Sequence, residues 1–187
     1  MNISSLLTKA TNDKLTKGEL QFVADVAALR NHDSYKATLI LGRSYATAYR
    51  NILESLLQSP SDPMLARGAV YALCQCWDET EKFLPELIAF CQGVAWDEEN
   101  DVRLISLSCG GEYLRKNWNQ ELAGVLAKVA ENESDEIVRN SARTAIARAM
   151  GLDHSQIPPP LRLLKGSPLE IDDAMKGFMH RIVANYA

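Results

Sequence analysis

A chain of 187 residues, 47% hydrophobic, holds one domain with a sizeable core and leaves little room for a second. A formal charge of -4 and a pI near 5.4 argue against a protein whose main work is neutralising phosphates, because such proteins carry a basic face. No run approaches about 18 apolar residues, and the start, MNISSLLTKATNDK, lacks the pattern of a secretory signal, so the expectation is a soluble, cytoplasmic protein with no membrane or nucleic-acid partner.

After a polar N-terminal stretch, Thr16 and Glu19 form a capping box ahead of Leu20, Val23, Val26, Ala27 and Leu29, which predicts a helix over 16–31. Asp33 is placed to cap the next helix, which carries Tyr35, Leu39, Ile40 and Leu41. Past a weak break near Ser44 to Thr47, another helix runs through Tyr49, Ile52, Leu53, Leu56 and Leu57 to Ser59-Pro60. Asp62-Pro63 starts a helix to about Trp77, because proline in a first turn gives up an N–H that has no partner anyway. Asp78 to Thr80 turn the chain, and Phe83, Leu84, Leu87, Ile88, Cys91 and Val94 stripe its partner, with Pro85 in the first turn. The spacing predicts a further pair over 99–116 and 119–131, with Leu122, Val125, Leu126 and Val129 in the core. Ser134 is placed to cap a last helix over 135–150, stopped by Gly151. Ile157-Pro158-Pro159-Pro160-Leu161 and Gly166-Ser167-Pro168 require extended chain, and 169–185 is amphipathic again.

One register runs through this series. Ala66-Arg67, Val102-Arg103 and Val138-Arg139 stand 36 residues apart, with Val70, Ser106 and Ala142 three places later and Leu73, Cys109 and Ala145 six places later. A period of this length marks stacked helical units, each burying its apolar face against its neighbours. Asp62-Pro63 with Arg67, Asn100-Asp101-Val102-Arg103, and Asp135-Glu136-Ile137-Val138-Arg139 through Gly151 resemble the first helices of HEAT-like repeats. The likeness is good over 60–151 and loose over 16–59. It implies an all-α superhelix of about four helical pairs (16–59, 60–97, 98–133 and 134–151), an extended segment 152–168 and a capping helix 169–187, together one domain over 1–187. It also implies that Arg67, Arg103 and Arg139 pair with acidic residues of the neighbouring unit.

The chemistry-bearing residues point away from catalysis. Gly110-Gly111 lies in a helical stretch, the wrong context for a phosphate loop, and reads as a place where helices approach closely. Glu98-Glu99 and Asp172-Asp173 sit at helix starts, where acidic residues favour the dipole. Cys74 and Cys76 point about 200° apart on a helix, and the histidines are scattered, so the four cysteines read as buried thiols in a reducing compartment. We therefore expect no catalytic residue, metal or cofactor.

What remains is a surface: Trp77, Trp96 and Trp118 near helix ends, with Asp78, Glu79, Asp97, Glu98, Glu99 and Asn119 beside them, and Glu86 and Glu121 on second helices. Two readings of the tryptophans stand: each wedges between successive repeats with its N–H satisfied locally, or, as aromatics among acidic residues, they form a contact for a basic protein surface; a solenoid presents such a face on its second helices, here through Ala89, Gln92, Gly93, Gly124 and Lys128. The expected function is non-catalytic protein binding, most specifically a small bacterial inhibitor of the toxin-immunity type with a basic partner. The alternatives are an adaptor or scaffold, a repair protein resembling the HEAT-like alkylpurine DNA glycosylases, and a subunit of a pigment or lyase complex using His32 or Cys76.

Overall fold

A computed structural model describes residues 1–12, 14–57 and 62–152, together with Gly177 and His180. Among these, every regular element is helical, and no helix is long and apolar enough to cross a membrane. The chain gathers into two compact units, Met1–Phe83 with Ala95–Val102, and Leu84–Val94 with the residues from Arg103 onward.

The first unit holds α1 (Ile3–Asn12), α2 (Lys17–Ala28), α3 (Ser34–Arg43), α4 (Arg50–Leu57) and α5 (Pro63–Val70), which continues as a π-helical turn over Tyr71–Cys76. Helix α1 corrects the reading of this stretch as merely polar: Asn2 Oδ1 accepts the Ser4 and Ser5 N–H groups, and Ile3 and Leu6 are buried. The capping box of α2 forms as expected, with Thr16 Oγ1 accepting from Glu19 N and Glu19 Oε2 accepting from Thr16 N at 2.7 Å. The helix stops at Ala28, short of the expected end, as Arg30 turns to φ 52°. Asp33 occupies the cap position of α3 but does not cap it: its backbone is already helical, and its carboxylate faces His32 and Lys36. The break after Arg43 is real, with Tyr45 at φ 52° and a short 3-10 turn over Thr47–Tyr49. Asp62 caps α5 through Leu65 N with Pro63 in the first turn, and the chain reverses at Asp78, φ 56°.

The second unit holds α6 (Leu84–Gln92), α7 (Asp101–Lys116) from Arg103 onward, α8 (Gln120–Asn132) and α9 (Glu136–Ala149). Asn119 caps α8 through Leu122 N at 2.8 Å. The cap of α9 is Asp135, not Ser134. The Asp135 carboxylate accepts both Ile137 N and Val138 N, while the Ser134 hydroxyl donates to Glu133. Gly151 ends α9 at φ 85°, a conformation open to glycine. Gly111 lets the α7 and α9 backbones touch: a methyl group there would lie 2.6 Å from the Cα and carbonyl oxygen of Ala145.

The register positions face inward in each unit taken by itself. Val70 and Leu73 are buried in the first; Ser106, Cys109, Ala142 and Ala145 are buried in the second. Cys74 and Cys91 are buried as well, and Cys76 is half-buried with its thiol pKa pushed up, chiefly by desolvation. The expected extended segment 152–168 and capping helix 169–187 lie outside the described residues, apart from Leu152, Gly177 and His180.

Candidate functional site

In the first unit the tryptophan and acidic residues divide between interior and surface. Trp77 is buried, and its one N–H is spent on the Gly42 carbonyl at 3.0 Å. Tyr45 tilts against its ring at 6.4 Å between centroids, and the Arg50 guanidinium lies 5.7 Å from the ring centroid while gripping both oxygens of Glu79. The Glu79 carboxylate raises the Arg50 pKa and is itself committed to that pair. Asp97 is likewise buried, with Oδ2 accepting Val102 N–H at 3.0 Å at the head of α7. Trp77 and Asp97 thus serve the fold, and neither side chain is presented to a partner. Trp96 is half-buried, whereas Asp78, Glu98 and Glu99 are exposed.

The arginine register is resolved side chain by side chain. Arg67 Nη1 meets Asp101 Oδ1 at 2.7 Å in the first unit, and Arg103 Nη2 meets Glu133 Oε2 at 2.6 Å in the second. In both pairs the carboxylate lies at or just before the head of the next first helix, the pairing that the repeat resemblance implies. Among the described residues Arg139 meets no such acid; its guanidinium donates to the backbone carbonyls of Glu133 and Ser134. Two further contacts had no sequence signal. Arg103 Nε donates to the Cys91 carbonyl near the end of α6, and Arg143 Nε to the Ala130 carbonyl near the end of α8. Glu133 is held below the usual carboxylate range first by the Asp135 backbone N–H and then, against desolvation, by Arg103.

The second unit also carries a furrow along α6 and α8, the two elements read from the sequence as second helices. One hollow, of about 340 Å³, lies among Pro85, Ile88, Ala89 and Gln92 of α6 with Asn119 and Glu121 beside them. The next, of about 440 Å³, is lined by Gln92, Val125, Lys128, Val129 and Asn132, with Arg103 and Glu133 at one side. Gln92 borders both, and from Glu121 to Asn132 the furrow follows α8 for roughly 16 Å at 1.5 Å per residue. Its floor is aliphatic and its rim mixed in charge. Trp118, 56% exposed with its N–H on Gln120, precedes Asn119, and Glu121 is exposed. Glu86 is half-buried and does not line either hollow.

Among the described residues, no group of three or more His, Cys, Asp or Glu side chains could hold a metal ion. Compared with protein-family models, curated proteins and solved structures, the chain matches none of them.

Proposed function

We propose that this chain is a HEAT-like helical-repeat protein that acts by binding another protein, not by catalysis, with the α6–α8 furrow and the neighbouring Trp118 as its contact. The observation that carries the reading is that furrow: about 16 Å long, with an aliphatic floor, a polar rim and an exposed tryptophan next in sequence to the rim residue Asn119, it has the anatomy of a protein contact. The repeat reading is supported by the buried register positions and by Arg67 and Arg103 each reaching an acid at or before the next first helix.

Within this class the most specific version is a small bacterial inhibitor of the immunity type, whose partner carries a basic surface. Exposed Asp78, Glu98, Glu99 and Glu121 and the charge of -4 support it, because opposite potentials steer association. The test is affinity capture at low and high salt with the wild type, Trp118→Ala and Glu121→Lys. The expected result is a basic partner whose recovery falls with salt and with either substitution. Partners that are uniformly acidic, or a basic one indifferent to both substitutions, would overturn the reading.

A further inference from the structure

A separate cleft of about 400 Å³ opens in the first unit between the end of α1, the chain leading into α2 and the end of α3. Among the described residues its charged lining is Lys14 and Arg43, both positive. One basic residue at a helix end is the ordinary complement of the helix dipole. These two converge on one cleft, and neither meets a carboxylate among the described residues; Lys17 of the same unit likewise shows none, while Lys9, Lys36, Arg50, Arg67 and Lys82 each meet one. Arg43 Nη1 donates to Thr11 Oγ1 at 3.4 Å, which orients the guanidinium and leaves its other N–H groups available.

The third element is Tyr45. It follows the cap of α3 in the left-handed region, φ 52°, with Ala46 N bonded back to Leu41 O, the closure in which glycine ordinarily serves. A large aromatic is therefore held where the backbone disfavours it. It is 59% exposed, lines the cleft and rests against Trp77. We propose that this cleft binds an aryl phosphate or a similar dianion bearing a flat group. Its oxygens would be taken by Lys14 and Arg43, and its flat group would stack on Tyr45. Two cations suit a phosphate monoester, and the volume exceeds what inorganic phosphate fills while falling in the range of small-ligand sites.

The test is calorimetric titration of the full chain with phenyl phosphate, inorganic phosphate and phenol at constant ionic strength. Phenyl phosphate is expected to bind saturably and more tightly than inorganic phosphate, and phenol not to bind. Lys14→Gln and Arg43→Gln should each weaken phenyl phosphate by about tenfold, as expected for loss of a charge-assisted hydrogen bond. Tyr45→Gly should bring phenyl phosphate down to the affinity of inorganic phosphate while the unfolding midpoint holds or rises, a combination that a purely structural tyrosine would not give. A phosphotyrosine peptide that binds more tightly than phenyl phosphate would place the source on a partner chain, and equal affinity would place it on a free small molecule. No saturable binding at millimolar concentration, or equal binding by the Lys14→Gln/Arg43→Gln double variant, would overturn the site.

Discussion

Replacing Arg103 by alanine removes several contacts at once. The guanidinium pairs with Glu133 at 2.6 Å, donates from Nε to the Cys91 carbonyl at 3.1 Å and packs against Gly93. The two side chains are 12% and 17% exposed, so water screens them little. Truncation would leave Glu133 with the Asp135 N–H and the Ser134 hydroxyl, and would take the side-chain donor from the Cys91 carbonyl. Breaking a fully buried pair costs about 3–5 kcal/mol, and the contacts that Glu133 keeps lower this to about 2–3 kcal/mol. Arg67 provides the comparison. Its bond to Asp101 is 2.7 Å long, but the partners are 39% and 28% exposed, so Arg67→Ala should cost about 1 kcal/mol or less. Urea titration gives both values directly, and for a chain of this size the Arg103 variant should melt about 5–10 °C below the wild type. If Arg103→Ala lost no more stability than Arg67→Ala, burial would not be what gives this pair its weight. Unchanged stability with lost partner binding would move Arg103 from the scaffold to the contact.

Gly111→Ala should cost at least about 1–3 kcal/mol in the same urea assay, because the added methyl meets the Ala145 backbone, whereas Gly110→Ala, which meets a Leu122 methyl at 3.3 Å, should cost less; equal values would refute the close approach of α7 and α9. The Glu19 carboxyl is held at about 2, first by Lys9 and then by the Thr16 N–H and hydroxyl. A depressed carboxyl stabilises the fold above its ordinary value of 4.5 and loses that contribution as pH falls toward 2, so Lys9→Met should flatten the acid limb of stability in this window; an acid limb unchanged from wild type would count against the pairing. Trp77→Ala should cost about 3–5 kcal/mol, while Trp118→Ala should stay within about 0.5 kcal/mol of wild type and act on binding alone; the reverse order in thermal melts would invert the division between scaffold and surface.

The sequence was most legible where a signal is local and chemical. The Thr16–Glu19 box, the Asp62-Pro63 start, the turn at Asp78 and the Gly151 stop each rest on a backbone requirement that few residue types meet, and each stands where expected. The 36-residue register also carried through, because the positions after each arginine must be small or apolar to be enclosed. Helix α1 was missed although Ile3, Leu6, Leu7 and Ala10 hold helical spacing; its serines, threonines and asparagine masked a short stripe. Caps slipped where two candidates adjoin: Asp135 outcompetes Ser134 because its carboxylate reaches two N–H groups at once. The wedge reading fits Trp77, which is buried with its N–H bonded, but its neighbours in sequence could not separate it from the exposed Trp118, since what encloses Trp77 is Gly42, Tyr45 and Arg50, more than 25 positions away. Among the furrow residues, Ala89, Gln92, Glu121 and Lys128 were readable from helix faces. The Arg103–Glu133 wall was only half readable, because the acid lies in a loop whose direction no periodicity reports.

The reach of Arg103 to Cys91 and of Arg143 to Ala130 bears on where the second unit can be divided. Each of α6 and α8 has a carbonyl near its end tied by an arginine of the following first helix, so neither helix end is complete within its own pair. A chain cut after Asn132 would lose the donor that meets Ala130, and one cut before Arg103 would do the same to Cys91. Minimal fragments of this protein should therefore end after a first helix, one element later than the pairwise boundaries suggest.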